Sequence, residues 1–406
     1  MDNGVFRTSY DVLLKVYRDN AYLNLLMKEI SNKRVARIVY GVLEKHYELN
    51  YIIDELAAKG VKPNVRPVLL IGAYSVLYME TPENLVRTEI RELLDSLGKS
   101  GIRDFVDAVL VKIIKRDYKL PAKSHKSYLE VMYNLPNWLI GMYKKDYPDT
   151  YETMMGEFRH DKVHVILNKN TTDKEIIEAD KDCIKTDTGF FVKNNKEIAL
   201  LNFMGKISYM SYGSTLIAKS IDAKNKKLLD CCAAPGGKSV FLALNGGNVT
   251  SCDIHEHRID LIKSYAKRMN VKLNVLLRDA TVYYPEWEGS FDVVLVDAPC
   301  SGFGVTGKKK DIVFNRSYED ILSLVKLQRE ILQNTSRYLK KGGLLVYSTC
   351  TIFKKENGEN VEFFLEYNKD FAKEKISLPD DNNGEIQFLP DNNGMEGFYL
   401  CHLRKI

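Results

Sequence analysis

Apolar positions along the first 116 residues recur at helical spacing. Val35, Ile38, Val39, Val42 and Leu43 form one stripe, and Leu69, Leu70, Ala73 and Leu77 form a second. Phe105, Val109, Leu110 and Ile113 form a third. Gly and Pro are sparse inside these stretches. Breaks fall near Lys59-Gly60, at Thr81-Pro82 and from Gly98 to Gly101. Several helices of this length predict a bundle. Arg34, Arg37, Lys112, Lys115 and Arg116 lie off the stripes, on an exposed face. Residues from about 120 to 220 change character. Tyr, Lys and Asp are common, and short strand-like pieces occur at Val163–Leu167, Gly189–Val192 and Ile198–Leu201. A small mixed α/β segment is expected there.

From Lys227 onward, apolar runs and helical stripes alternate. Strands are predicted at Lys227–Cys231, Asn248–Asp253, Leu273–Leu277, Phe291–Asp297 and Leu344–Ser348. Helices are predicted at Lys238–Leu244, Arg258–Met269, Tyr318–Leu339 and Gly358–Tyr367, and two last strands near Ile386–Leu389 and Gly397–Leu403. Strands alternating with helices imply βαβ units and a mostly parallel sheet.

A chain of 406 residues is long for one domain and implies two or three. The net charge of +5 permits an anionic partner without requiring one. The N-terminus lacks a basic start followed by an apolar run, and no apolar stretch reaches membrane-spanning length. A reducing, cytoplasmic setting and no membrane partner are therefore expected. In that setting the seven cysteines are packing residues or chemistry rather than a disulfide framework. No CxxC pair occurs and the histidines cluster only as His255 and His257, so no metal is expected.

Four constellations carry chemistry. Asp230-Cys-Cys-Ala-Ala-Pro-Gly-Gly-Lys238 ends the first clear strand and opens a helix. In doubly wound folds ligands bind at that edge, where glycines admit close approach and a helix start offers free N–H groups. The spacing is neither GxGxxG nor a Walker loop. Asp253 and Asp279 end the next two strands. Each alone reads as a cap or turn residue, but in series they outline an adenosine pocket. Asp297-Ala-Pro-Cys300-Ser-Gly-Phe-Gly304 follows the most apolar strand, and Tyr347-Ser-Thr-Cys350-Thr351 follows another. Two cysteines therefore sit at the ligand edge of strands expected to be neighbours. An isolated cysteine is more often buried packing, but these lie beside polar residues, which favours reactive thiols.

These strings, in this order, resemble the Nol1/Nop2/Sun family of RNA cytosine-5 methyltransferases over roughly residues 190–406, with Lys341-Gly-Gly and Glu356-Asn357 as further matches. The helical region resembles a NusB-type RNA-binding domain, and Leu135-Pro-Asn-Trp138-Leu resembles the start of the family's linking region. The resemblance implies three parts: a NusB-like all-α bundle over 1–120, a linking α/β RNA-binding region over 121–215, and a Rossmann-like methyltransferase domain over 216–406. It implies S-adenosylmethionine as cofactor, with contacts from Cys232, Ala233, Ala234, Pro235, Gly236, Gly237, Lys238, Asp253, Arg258, Asp279 and Asp297. It implies Cys350 as nucleophile, Cys300 as the thiol that helps release product, Asp297 as the carboxylate on the target base, and Lys238 in the active site. Small-subunit ribosomal RNA is the partner it implies; a monomer is the default expectation, since the sequence does not fix the oligomeric state. The chain departs from the family at Met210-Ser211, Ile166-Leu-Asn168 and Gly307-Lys-Lys-Lys310.

The chemistry explains the residue types. Thiolate attack at carbon 6 of cytosine places electron density on carbon 5, which then accepts a methyl group. An acid near nitrogen 3 stabilises the adduct, and a protonated Asp297 would need burial to keep its proton. Lys238 near the nucleophile favours the thiolate. The target base must be unpaired or flipped. Phe303 is a candidate to stack on it, and Lys308, Lys309 and Lys310 to meet phosphate. Three rivals stand beside this reading: the same reaction on transfer RNA, a small-molecule or protein methyltransferase, and a non-catalytic RNA-binding protein. The two thiols argue against the last two, because amine and oxygen methylation needs no cysteine adduct.

Overall fold

The computed structural model describes residues 4–406, except 20, 22, 29, 58–59, 157–159, 307–309, 315 and 379–381 and the side chains of residues 24, 310 and 311. Lys59 and the pair Lys308 and Lys309 therefore lie outside the described residues, as does the side chain of Lys310. The chain divides into two compact units, Met1–Gly156 with Lys308–Ser317, and Glu157–Gly307 with Tyr318–Ile406.

The first unit is helical. Seven helices run in order: α1 (Val5–Asp19), α2 (Leu23–Met27), α3 (Lys33–Glu44), α4 (His46–Leu56), α5 (Arg66–Leu77), α6 (Glu83–Ser96) and α7 (Arg103–Ile114). Asn32 starts α3 by accepting from the Arg34 and Val35 amides, and the stripe Val35, Ile38, Val39, Val42 and Leu43 is buried. Helix α5 is buried from Pro67 through Ala73, as expected of a central helix that is apolar on all sides. Gly41 lets α3 approach it, since a Cβ there would lie 1.9 Å from the Tyr74 ring. Full burial of each Leu, Ile or Val contributes roughly 1.5–3 kcal/mol. Arg37, Lys112, Lys115 and Arg116 are exposed, and Arg34 pairs with Glu89 at 3.0 Å. Three short helices follow: α8 (Tyr128–Tyr133), α9 (Asn137–Asp146) and α10 (Tyr151–Met155).

A distant segment completes this unit. Phe314 packs beside His46, with ring centroids 4.9 Å apart, and near Tyr17 and Tyr47. His46 accepts or donates at Tyr17 Oη (3.0 Å), and burial drives its imidazole down to about 4.

The second unit holds two sheets. The smaller is antiparallel, in the order β2-β3-β1-β4, from β1 (Lys162–Leu167), β2 (Ile184–Lys185), β3 (Phe190–Lys193) and β4 (Ile207–Tyr209). Helices α11 (Asp173–Ala179), α12 (Lys196–Phe203) and α13 (Tyr212–Lys219) accompany it. The expected strand at Ile198–Leu201 is instead part of α12. Asn195 caps that helix by accepting from the Ile198 amide, a polar signal that outweighs a short apolar run of ambiguous period.

The larger sheet has the order β10-β12-β9-β8-β5-β6-β7, with β11 on β12. Its strands are β5 (Lys227–Asp230), β6 (Asn248–Asp253), β7 (Asn274–Leu277), β8 (Phe291–Asp297), β9 (Leu339–Thr349), β10 (Phe371–Lys373), β11 (Glu385–Phe388) and β12 (Phe398–Lys405). Strands β5 to β9 are parallel and β10 to β12 are antiparallel additions. Helices α14 (Gly237–Leu244), α15 (Glu256–Arg268), α16 (Tyr318–Thr335) and α17 (Gly358–Tyr367) connect them. The core strand Val293–Val296 is fully buried, as its unbroken apolar run requires. Strand order reverses between β5 and β8, so the carboxyl ends of these two strands open the crevice where doubly wound sheets bind ligands. Among the described residues no helix is long and apolar enough to cross a membrane, and no group of His, Cys, Asp and Glu is set to hold a metal.

Candidate active site

The turn after β5 forms one wall. Gly236 has φ +110°, a left-handed conformation that favours glycine, and a Cβ there would lie 3.3 Å from the Ile262 backbone. The turn enters α14 directly, and first-turn amides have no acceptor within their own helix. Asp230 is buried beneath it. One of its oxygens accepts from Ser239 Oγ (2.7 Å), which in turn accepts from Ser251 Oγ (2.8 Å). Burial pushes the Asp230 carboxyl up to about 7.

Asp253 is 4% exposed at the end of β6. It accepts from the His255 amide at 3.1 Å and lies 3.7 Å from Arg258 Nη1. Asp279 uses one carboxylate oxygen for the Thr281 amide and hydroxyl, at 2.9 and 2.7 Å. A strained glycine turn, a helix start and carboxylates at two successive strand ends fit an adenosine-bearing ligand. Met210 packs beside the start of α14, its sulfur 3.6 Å from a Cβ built on Gly237.

The second wall carries reactive groups. Lys238 rises from the first turn of α14, and its Nζ donates to Asp297 Oδ2 at 2.6 Å. Ser348 Oγ donates to the other oxygen of Asp297 at 2.9 Å. The Asp297 side chain is 30% exposed. This corrects the expectation of a buried carboxyl: the β8 end opens to solvent, and the residue is held by an ion pair.

The two thiols meet, with Cys300 Sγ 3.1 Å from Cys350 Sγ. The Cys350 amide also donates to Cys300 Sγ at 3.2 Å. Its hydrogen bond to Cys350 and its burial raise the Cys300 thiol well above the usual cysteine range. The Cys300 turn is locked from behind: Gly304 N–H donates to the Cys350 carbonyl (3.0 Å) and Gly397 N–H to the Gly304 carbonyl (2.8 Å).

Cys350, Cys300, Asp297 and Lys238 therefore converge. Cys231 does not join them; it is buried in the sheet core, whereas Cys232 is only partly covered. Phe303 is a second correction. It is 1% exposed and packs edge-on against Phe353 at 5.6 Å, because the chain turns inward after Gly302. It cannot stack on a base. The sequence reading also assigned no role to Ser348, Gln328 or Glu356. The last follows Lys354 and Lys355 and entered only as part of the Glu356-Asn357 match, yet its carboxylate is wholly buried.

A Rossmann-like sheet with a nucleoside-shaped turn at its switch point and this cluster beside it define an S-adenosylmethionine-dependent methyltransferase. The model of the family described as 16S rRNA methyltransferase RsmB/F matches residues 220–404, and the NusB family model matches residues 7–115. The probable ribosomal RNA small subunit methyltransferase B of Bacillus subtilis is 32% identical over 97% of each chain. That of Pasteurella multocida is 29% identical over 91% of this chain and 87% of its own. Among solved structures, the protein PH0851 covers all of both chains with a TM-score of 0.81 at 24% identity. NSun6 from Pyrococcus horikoshii with SFG covers 68% of this chain and 99% of its own, with a TM-score of 0.59 at 19% identity. The chain belongs to the ribosomal RNA small subunit methyltransferase B family.

Proposed function

We propose that the protein methylates carbon 5 of a cytosine in 16S ribosomal RNA, with Cys350 as nucleophile and Cys300 as the thiol that promotes product release. One observation carries the reading: two cysteine sulfurs 3.1 Å apart beside a lysine–aspartate pair at the ligand edge of the sheet. Methyl transfer to nitrogen or oxygen has no use for two such thiols. The name of the Bacillus subtilis relative, matched over nearly the whole chain, supports the ribosomal substrate.

Cys350 as thiolate adds to carbon 6 of an extruded cytosine, and the 5,6 double bond becomes electron density at carbon 5. Asp297, steadied by Lys238 and Ser348, contacts the base, and the proton that nitrogen 3 gains as the adduct forms comes through the hydrogen-bonded Lys238–Asp297 pair. S-adenosylmethionine, when bound, supplies an electrophilic methyl group. Cys232 to Lys238, Asp253, Arg258 and Asp279 hold it. Cys300 then relays the carbon-5 proton to solvent, nitrogen 3 returns its proton to the Lys238–Asp297 pair, the 5,6 double bond re-forms, and Cys350 leaves as thiolate. The resting Cys300 keeps its proton, so it does not compete with Cys350 as nucleophile.

The test is a denaturing gel of wild type, Cys300→Ala and Cys350→Ala with S-adenosylmethionine and separate pools of small-subunit ribosomal RNA and transfer RNA. Cys300→Ala is expected to accumulate a slowly migrating, nuclease-sensitive adduct with ribosomal RNA. Cys350→Ala is expected to give neither adduct nor product. An adduct with transfer RNA alone would move the substrate. Wild type inactive on every pool, with no adduct, would replace the enzyme reading by a non-catalytic RNA-binding one.

A further inference from the structure

Glu356 is 0% exposed, yet it follows two lysines in a short 3-10 turn, Lys354–Glu356. A buried carboxylate is costly unless hydrogen bonds replace its water. Here they come from both thiol loops. The residue after Cys300 gives two: the Ser301 amide donates to Oε2 at 2.8 Å and the Ser301 hydroxyl donates to Oε1. The residue after Cys350 gives another, from the Thr351 hydroxyl, whose oxygen lies 3.0 Å from that of Ser301.

Helix α16 closes the set. Gln328 Nε2 donates to Glu356 Oε2 (3.0 Å) and to the Pro299 carbonyl (2.9 Å), so it grips the Cys300 turn from its other side. Asn360 Nδ2 donates to Gln328 Oε1 (2.7 Å), which fixes the direction of that amide. Tyr347 Oη donates to the Glu356 carbonyl (2.6 Å), tying the turn back to β9. Pro299, Ser301 and Thr351 flank the two cysteines, and all three are held, directly or through Gln328, by one carboxylate.

We propose that Glu356 is a positioning residue that sets the spacing of the Cys300 and Cys350 sulfurs by clamping both thiol loops from beneath. It touches neither sulfur. Its action is geometric: two acceptor oxygens at fixed separation hold two turns in register. Glu356→Gln can keep that geometry, with its carbonyl oxygen toward the Ser301 amide and Gln328, and its NH2 toward the Ser301 hydroxyl, which is free to rotate. Glu356→Ala leaves the Ser301 amide and one N–H of the Gln328 amide buried without an acceptor.

The kinetic half of the test rests on the cytosine reading above, but the thiol half does not. Phenylarsine oxide bridges two close thiols, forming two As–S bonds as water leaves. Peptide mapping by mass spectrometry then reports capture at Cys300 and Cys350 apart from the other cysteines. Wild type is expected to be captured rapidly, Glu356→Gln at a rate within about threefold of it, and Glu356→Ala at least about tenfold more slowly. In single-turnover methylation, Glu356→Ala is expected to lose tenfold or more in rate, with RNA and cofactor affinity changed less than about threefold. Gln328→Met, a milder change, is expected to shift both readouts in the same direction, and this keeps the test available if Glu356→Ala does not fold. Wild-type capture rates in Glu356→Ala or Gln328→Met would overturn the proposal. So would a Glu356→Gln variant as slow as Glu356→Ala, because charge rather than spacing would then be the cause. Rapid capture that still depends on Glu356, in a wild type that methylates no cytosine, would sink only the reading of function.

Discussion

Asp230 and Asp297 end adjacent strands, and the fold treats them in opposite ways. Asp297 meets Lys238 and solvent, whereas Asp230 is 1% exposed under the glycine turn with its serine partners. Desolvation disfavours the charged form, so the Asp230 carboxyl rises from its ordinary 3.8 to about 7. A group whose folded value is raised stabilises the fold below its unfolded value and loses that contribution as pH climbs through the folded one. For Asp230 the loss runs from about pH 4 to about pH 7. Asp230→Asn removes the titration but keeps an oxygen for Ser239. Its melting temperature relative to wild type is expected to be higher at pH 8.5 than at pH 5.5, by a few degrees, on the order of 1–3 kcal/mol. Thermal melts of both proteins at the two pH values check this. An equal difference at both would mean that the carboxyl does not titrate in this window.

Between residue and fold stand the turns that carry the thiols. Gly304 has no room for a side chain: a Cβ would lie 2.0 Å from the Gly397 carbonyl oxygen and 2.8 Å from its Cα, both backbone atoms that cannot swing away. Gly304→Ala must therefore part the Cys300 turn from the approach to β12, at a cost of about 1–3 kcal/mol. Methyl transfer is expected to fall by tenfold or more, while S-adenosylmethionine affinity, set at the far wall, changes less than about threefold. Isothermal titration beside single-turnover rates separates the two, and an equal loss in both would place the damage in the whole sheet. The Cys300 and Cys350 strings were legible in the sequence because strand ends in a parallel sheet are fixed by apolar runs that cannot slip without exposing core. The Gly304–Gly397 contact was not legible, since it joins residues 93 apart, and the pattern that marks the last strand does not say which strand it pairs with. Nor was α12, where an Asn195 cap decided between strand and helix. Phe303 was misplaced because its position just past the Cys300 turn suggested the mouth of the site, whereas its ring is buried, and nothing in the sequence gave Glu356 a role beyond a match to the family's Glu-Asn pair.

At the scale of the whole molecule, the two units differ in the charge they bury. The helical unit buries His46 against Tyr17, Asn50 and Phe314, with Arg66 also disfavouring its charge. The methyltransferase unit buries His402, bonded to Ser220 Oγ at 2.9 Å. Burial lowers both from 6.5 to about 4. A base with a depressed folded value stabilises the fold above its unfolded value and loses that contribution as pH falls, here from about 6.5 to about 4. In the methyltransferase unit Asp230 runs the other way over much of that window, because its raised value favours the folded state in acid. Acidification from pH 7 to 4.5 is therefore expected to loosen the helical unit first, at up to about 1.4 kcal/mol per pH unit. Hydrogen exchange read by peptide mass spectrometry on the full chain resolves this. Peptides of α1, α3 and α4 should lose protection before those of β5, β8 and β9, and His46→Gln should remove most of the difference. If β5, β8 and β9 lose protection first, or if His46→Gln leaves the order and spacing of the transitions unchanged, the buried imidazole does not govern the acid response of the bundle.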